Sequence, residues 1–574
     1  MGARLKLEFF KSRDSLKGVI ALFLVLVVFT WPLVVHPFQL MGHAQGEASN
    51  HLWMFWRASQ MGVVSNVPVG VGLPLMDPVN LPIYFAFSWV HPALGFNAVW
   101  VFNLVLAFVG AFLLARALGV GRAAAFSAGV ACACSPFLSG LGSFGLTESW
   151  TVGWLGIHIA CLIHYGESGS RWRLFAAMAA LVAFLASGWY SAVFAVVVEP
   201  LVLWVVVRRG GAFWPLLGQA ALAGALMLPR FLSFLSDRAL WADRWHGAQG
   251  GGSGRWEAWR EMPLSGADAL NYILPSLSRV AVSKSVYLGL VLLVLAVFAG
   301  RRARVLWLWS LPFLLLALGL SFSVAGFRQF GGIQINLPAA WITHLIPPLE
   351  GLTHWFRALA PATLFLAVAA SMGVERLAKK QARWLVVAPV LLLADSVVLS
   401  QTPWPRDQVS ISPPAVYAVV REASGRVPGA LLQLPLHNSR REFTSDVPRI
   451  YNRWQPVHGL AVAENYESDD AVLGENRLVQ WLQDLCLGNQ KSEIKLSLPA
   501  QEMWLKALVK RGFSHLVVHG VGRRESMDAW QCGRSDGTRQ QRLRDWKEVN
   551  SVLADLLGPP VASQAGDAYY FLDE

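Results

Sequence analysis

The stretch Leu94–Ala117 reads LGFNAVWVFNLVLAFVGAFLLARA and meets no charged residue until Arg116. About 20 consecutive, mostly apolar residues are what a helix needs to cross the hydrocarbon core of a bilayer. Comparable stretches lie at roughly 18–39, 121–140, 147–166, 173–188, 190–207, 212–234, 284–300, 303–324, 357–376 and 383–400. Apolar residues make up 55% of the chain and charged residues 15%, where a soluble globule carries about 25% charge. Most of the surface before residue 400 therefore has to face something other than water. The predicted architecture is mainly α: a polytopic transmembrane helix bundle of about eleven spans over 1–400, followed by a soluble α/β domain over 401–574.

The net charge of +12 raises the question of nucleic acid, and its distribution excludes that partner. The basic residues sit in short clusters beside apolar runs, which is the pattern that sets membrane topology, not a phosphate-binding stripe. Arg4, Lys6, Lys11, Arg13 and Lys17 precede the first span. Arg116/Arg122, Arg171/Arg173, Arg208/Arg209, Arg301/Arg302/Arg304 and Arg376/Lys379/Lys380/Arg383 then fall on the same side when the spans alternate. This predicts a cytoplasmic N-terminus, a first span that acts as a signal anchor, and an extracytoplasmic 401–574. The junction Gly188-Trp189-Tyr190 is the weak point of the count, because fusing the spans that flank it would put later clusters on the wrong side.

Four expected outer segments carry the polar residues of interest, at about 41–93, 143–148, 235–283 and 325–356. Ser49–Met61 has helical spacing and, with Trp53, Phe55 and Trp56, reads as a helix lying in the membrane interface. Gly250–Gly254 reads as a flexible run. Cys132, Cys134 and Cys161 read as small buried residues; Cys486 and Cys532 are a possible disulfide pair if their domain faces an oxidising compartment. In the soluble domain, 429–435 and 514–519 read as strands and Pro560–Leu572 as a hairpin turning at Gly566-Asp567. Helical periodicity occupies 414–423, 468–486 and 499–511. Tyr451, His458 and Tyr466 read either as glycan-recognition residues or as parts of a structural cap.

The order of motifs resembles a known family. Gly46-Glu47-Ala48-Ser49-Asn50-His51-Leu52-Trp53 follows the first span, and Leu73-Pro74-Leu75-Met76-Asp77-Pro78-Val79-Asn80-Leu81-Pro82 precedes the second. Ser187-Gly188-Trp189-Tyr190, Leu270-Asn271-Tyr272-Ile273-Leu274-Pro275 and Leu345-Ile346-Pro347-Pro348-Leu349 with Phe356-Arg357-Ala358 come next. Ala430–Pro435 and Ser514–His519 close the series. Together they resemble the bacterial GT-C membrane glycosyltransferases, in particular a branch with a C-terminal extracytoplasmic domain. The resemblance implies transfer of a sugar from a polyprenyl-phosphate donor to a glycan, lipid or protein acceptor outside a bacterial cytoplasmic (inner) membrane. Better-known members carry an Asp or an acidic pair early in the first outer loop; here a lone Glu47 stands there and Asp77 comes much later.

Inverting transfer to a hydroxyl needs a carboxylate to take its proton and cationic groups to hold the leaving phosphate. Glu47 reads equally as that base or as a solvated loop carboxylate. Glu148 is either an acid favouring a helix N-terminus or a second catalytic acid or metal ligand. Arg357, with His354 as helper and Arg230 as an alternative, suits a phosphate because a guanidinium donates two parallel bonds; Arg357 also reads as a snorkelling helix-end residue. Asn50, His51, Trp53, Tyr190 and Tyr272 are the candidate substrate-binding residues. No zinc spacing is present and no metal ligand set is assigned, although a divalent metal ion is possible. Glu199 and Asp395 lie inside spans, either as functional acids or paired with polar neighbours; His158 and His164 are expected to be bonded separately. The rival readings are a transporter or flippase for a lipid-linked glycan, coupled through Glu199 and Asp395, and a catalytically silent relative serving as an assembly partner.

Overall fold

The structure, a computed structural model, describes residues 13–43, 46–59, 77–248, 267–274, 286–325, 327, 329–330, 333–346, 354–400, 402, 404–434, 454–460, 477–478, 481–482, 497–510, 512–519, 539–564 and 567–572. Cys486, Cys532, Tyr451, Tyr466, the Gly250–Gly254 run and Pro347-Pro348 lie outside them. Two compact units emerge. One comprises 1–48, 76–237 and 253–409; the other comprises 49–75, 238–252 and 410–574. The chain thus enters its last compact segment at Ser410, a little after the expected boundary, and the second unit also takes in 49–75, which the sequence places with the bundle.

In the first unit α1 is Arg13–Phe29, while α2, Ala48–Ser59, opens the excursion into the second unit. Then come α3 (Leu81–Ser88), α4 (Pro92–Ala117), α5 (Arg122–Ala133), α6 (Pro136–Ser143), α7 (Val152–Ser168), α8 (Arg171–Ala186), α9 (Trp189–Arg208) and α10 (Phe213–Ala248). After these follow α11 (Leu290–Phe298), α12 (Arg304–Ala317), α13 (Pro338–Leu345), α14 (Leu359–Ala378) and α15 (Trp384–Ala394). Helix occupies part of every predicted span. Among the described residues five helical stretches are long and apolar enough to cross a membrane: Pro92–Ala117, Arg122–Ser143, Tyr190–Arg208, Phe213–Leu232 and Trp355–Ala378. Gly18–Phe29 and Trp384–Leu399 are shorter apolar helices. The chain is a multi-pass membrane protein. At the weak junction, Ser187 and Gly188 separate α8 from α9.

Helix α14 is buried on all sides from Leu359 to Val374, as a helix in the middle of a bundle must be. Around it α4 and α7 approach backbone to backbone. A Cβ on Gly153 would lie 2.2 Å from the Leu106 carbonyl oxygen, and one on Gly110 would lie 2.2 Å from that of Gly153. Small residues at a crossing let membrane helices pack this closely.

The acids inside the bundle are held. His158 donates from Nδ1 to the Ala177 carbonyl at 2.8 Å and meets Glu199 through Nε2 at 2.7 Å, so α7, α8 and α9 share one contact. His164 meets a different acid, Glu167, at 3.2 Å, so the two histidines are bonded separately, as expected. Asp395 accepts from Tyr287 Oη at 2.7 Å and from the Val291 N–H at 2.9 Å, capping the start of α11 from a different helix.

Short strands hold the loop after α1. β1 (Leu40–Met41) pairs antiparallel with β4 (Gln408–Val409), while β2 (Gln329–Phe330) and β3 (Ile333–Gln334) form a hairpin. In the second unit, β5 (Ala430–Leu434), β6 (Phe513–Val518), β7 (Ala562–Gln564) and β8 (Asp567–Phe571) make one sheet in the order β5-β6-β8-β7, parallel only between β5 and β6. Alternate residues go to opposite faces. Leu432, Leu434, Leu516, Val518 and Tyr570 meet one apolar cluster, together with Leu508 of α17 (Leu498–Lys510) and Val549 and Leu553 of α18 (Arg539–Leu557). Leu431, Val517 and Tyr569 meet another with Val416 and Val420 of α16 (Val416–Ser424).

Two expectations are corrected here. Helix α18 was not foreseen. Helix α2 was read as lying in the membrane interface, yet Leu52, Trp53, Met54, Phe55 and Trp56 are all buried, leaving no aromatic face for lipid. A buried indole needs an acceptor, and Trp53 Nε1 finds Gln455 Oε1 at 2.5 Å within the same unit.

The α4–α7 contact supplies a test. Gly153→Ala sets a methyl against a backbone that no rotamer change can move aside, and is expected to cost about 1–3 kcal/mol. Gly224→Ala, with nothing within 4 Å of its new Cβ, is expected to stay within about 1 kcal/mol of the parent. Thermal unfolding of both variants in detergent checks the contrast; equal midpoints would refute the close approach.

Candidate functional site

The site grows from three turns of the first unit. Gly142, Gly145 and the 3-10 turn Thr147–Thr151 carry the chain from α6 to α7. Gly145 has φ +99, and a Cβ there would sit 2.1 Å from the Ala48 nitrogen. The loop bearing Glu47 packs on this turn: His43 N–H donates to the Ser143 carbonyl at 2.7 Å and Glu47 N–H to that of Phe144 at 2.5 Å, while Gly42 N–H reaches the Asp407 carbonyl at 3.0 Å. Glu47 itself is half-buried. Its loop therefore lies against the turn that carries Glu148.

Glu148 Oε1 accepts from Arg357 Nη1 at 2.8 Å, with side chains 8% and 17% exposed. Residues assigned separately to proton transfer and phosphate binding thus form one ion pair. The Arg357 guanidinium also lies 5.0 Å above the centre of the Tyr190 ring, in the range of a cation–π contact. The Tyr190 hydroxyl accepts from the His354 N–H at 2.8 Å, so the α8–α9 turn fixes both ends of the 354–357 turn. Arg357 Nε is buried and has no partner among the described residues. Beneath Tyr190 an aromatic column descends through Phe194, Phe313 and Phe365, with ring centres 6.2, 5.9 and 6.1 Å apart.

The structure adds Asp77, which the sequence reading left as a late acid in a Pro-rich stretch. It is 1% exposed, and one of its oxygens accepts from the Asn80 amide. Burial pushes its carboxyl from the ordinary 3.8 up to about 8; the neighbouring charge of Glu148 pushes the same way, against the bond from Asn80 and the charge of Arg230. Arg230 donates to the Ala186 carbonyl at the end of α8. Two carboxyls and two guanidiniums from four separate segments therefore share one neighbourhood. The signal available in sequence was Asp77-Pro78-Val79-Asn80, an acid with an amide one turn later, just before an apolar helix.

Tyr272 donates its hydroxyl to the Leu314 carbonyl at 2.8 Å, tying its turn to α12. Asn50, His51 and Trp53 belong to α2 in the second unit, where Asn50 and His51 are buried and the single donor of Trp53 is taken by Gln455. Among the described residues no three His, Cys, Asp or Glu side chains gather as metal ligands. Glu148 is paired with a guanidinium and Asp77 is hydrogen-bonded to an amide, an arrangement that suits proton handling and anion binding better than a divalent cation.

No protein-family model matches the chain, and no curated protein matches it in sequence. Among solved structures it is similar to the arabinofuranosyltransferase AftD from Mycobacteria, at 16% identity and TM-score 0.49 over 89% of this chain and 35% of that one. It is similar to the archaeal oligosaccharyltransferase AglB from Archaeoglobus fulgidus, solved with an inhibitory peptide and a dolichol-phosphate, at 11% identity and TM-score 0.44 over 89% and 70%. It is also similar to ArnT from Cupriavidus metallidurans bound to undecaprenyl phosphate, at 12% identity and TM-score 0.41 over 98% of both chains. These are GT-C glycosyltransferases, the family whose motifs the sequence resembles. The chain spans about a third of the length of AftD.

Asp77 gives a pH test. Its folded carboxyl holds its proton up to about pH 8, while in the unfolded chain it releases it near the ordinary value. Stability contributed by the protonated form is therefore full below about pH 4 and is lost as pH rises toward 8. Asp77→Asn removes the ionisation. The midpoint of Asp77→Asn minus that of the parent is expected to be near zero at pH 4 and to grow positive toward pH 8. A difference independent of pH would mean that Asp77 is ionised throughout.

Proposed function

We propose that this chain is a membrane glycosyltransferase that moves a sugar from a polyprenyl-phosphate carrier to an acceptor hydroxyl on the extracytoplasmic side of a bacterial cytoplasmic membrane. The observation that carries the reading is the Glu148–Arg357 pair with Asp77 and Arg230 beside it. Its turns are ones that the charge clusters assign to the outer face. In this reading the N-terminus is cytoplasmic and 401–574 extracytoplasmic.

The chemistry follows from the groups present. The anomeric carbon loses its bond to the phosphate oxygen as the acceptor oxygen attacks from the opposite side. The acceptor proton goes to Asp77 in its ionised form; a carboxyl that titrates near 8 is a stronger base than an exposed one and works close to neutral pH. Charge collecting on the departing polyprenyl phosphate is met by Arg357, whose fork still has Nε to offer, and by Arg230. Glu148 keeps Arg357 aimed before the phosphate arrives. Glu47, on the loop packed against the Glu148 turn, belongs at the acceptor side of this arrangement. Glu199 and Asp395, which a transporter reading needs as coupling groups, are engaged by His158, Tyr287 and the α11 backbone, and that favours the transferase.

The test uses a strain lacking the gene, complemented with Asp77→Asn, Glu47→Gln, Arg357→Gln or the parent at equal membrane abundance. Loss of a positioned acid–base group typically lowers rate by about 10²–10⁴-fold, so Asp77→Asn and Arg357→Gln are each expected to abolish a surface-glycan modification that the parent restores. Normal glycan from both would move the assignment to the transporter or the silent assembly partner.

A further inference from the structure

A second surface stands out in the stretch between α12 and the 354–357 turn, which the sequence places outside the bilayer as a loop. After α12 the chain forms the β2–β3 hairpin and then α13, which packs back against α12 with Ala339, Ala340 and Thr343 buried. Its opposite face presents Trp341 and Leu345, 60% and 74% exposed and four positions apart, hence on one side of the helix, with the exposed His344 beside them. Ile335 and Ile346 are exposed on either flank. No Asp, Glu, Lys or Arg occurs from Gln329 to Ile346. Small residues inward and large apolar residues outward is the reverse of a helix that meets water.

The backbone is prepared for the same environment. Phe322 N–H donates to the Ile335 carbonyl and Leu337 N–H to that of Leu320, each at 3.0 Å; Ile346 N–H donates to the Ile342 carbonyl at 2.9 Å. The Thr343 hydroxyl donates back to the Ala339 carbonyl at 2.9 Å. Hydrocarbon offers no partner to such groups, so irregular backbone at membrane depth has to satisfy them internally. The surface also continues onto α12, where Leu308, Leu311 and Leu315 are exposed along a helix that reads as a span.

We propose that α13 is embedded in the lipid leaflet beside α12, with Trp341 and Leu345 against acyl chains. Lipid is the occupant favoured over a second copy of the chain because the face carries no acid, lysine or arginine, is flanked by the outward leucines of α12, and its one polar side chain, His344, sits in the last turn of the helix.

Spin labels at Trp341→Cys and at Leu345→Cys, in the full chain with its five native cysteines replaced and the protein reconstituted in phosphatidylethanolamine–phosphatidylglycerol vesicles, test this. Leu311→Cys is the lipid reference and Arg426→Cys the water reference. The ratio of oxygen to nickel-chelate collisions at both sites is expected to match Leu311 and to exceed Arg426. A ratio like that of Arg426 would overturn the proposal, as would low collision rates of both reagents with dipolar broadening between copies. Without cysteine replacement, brominated phospholipid should quench the tryptophan emission of the parent more than that of Trp341→Phe. Equal quenching would also count against it.

Discussion

A charge placed among apolar helices survives only where an opposite charge or a row of donors meets it at contact distance, because desolvation otherwise costs more than folding supplies. That constraint organises the first unit. Glu199 is met by His158, and Asp395 by a phenol and a backbone N–H. Glu148 is met by Arg357. In each case the partner comes from another helix or turn, so the polar contacts also say which elements must adjoin. The apolar surfaces alone are less selective, since a leucine-rich face packs on nearly any other.

Asp77 departs from the pattern. It has an amide bond from Asn80 and the more distant charge of Arg230, but burial still dominates and its carboxyl stays protonated far above the ordinary range. Groups held out of their preferred ionisation state collect at functional sites because the same environment that strains them also tunes them. Glu148 and Asp77 are both carboxyls in one neighbourhood, yet one is matched by a guanidinium and the other is not. That difference in environment separates a group that aims a cation from a group that trades a proton.

How much was legible beforehand depended on the kind of signal. Long apolar runs located the helices of the bundle, short apolar runs located β5 and β6, and the Gly566-Asp567 turn located the β7–β8 hairpin. Glu148, Arg357 and Tyr190 were each singled out, but not their union, because Glu148 and Arg357 are 209 residues apart in the chain and nothing local records a contact of that separation. Helix α2 was misread because aromatic and aliphatic residues look the same whether lipid or protein covers them; only the acceptor on Gln455 decides. Helix α18 was missed because its many charged residues hid the spacing of Val549, Leu553 and Leu556. Asp77 looked like one more polar residue in a Pro-rich loop, and its burial is a tertiary property.

The rigidity of the site has a source that lies below it. The turn bearing Glu148 is fastened by two indoles: Trp150 Nε1 donates to the Ala133 carbonyl at 3.1 Å and Trp100 Nε1 to the Gly142 carbonyl at 3.2 Å, with the two rings edge to face at 4.7 Å. A Cβ on Gly142 would strike Trp150 at 1.9 Å, so the absence of a side chain there lets the indole reach α5. Just past Trp150 comes Gly153, seated on the α4 backbone. The carboxylate is therefore carried on elements locked by backbone contact, which is what a site holding reacting groups to a fraction of an ångström requires. Arg357 is carried on a short 3-10 turn whose Trp355, Phe356 and Ala358 are buried, and its guanidinium is held by Glu148 and the Tyr190 ring face.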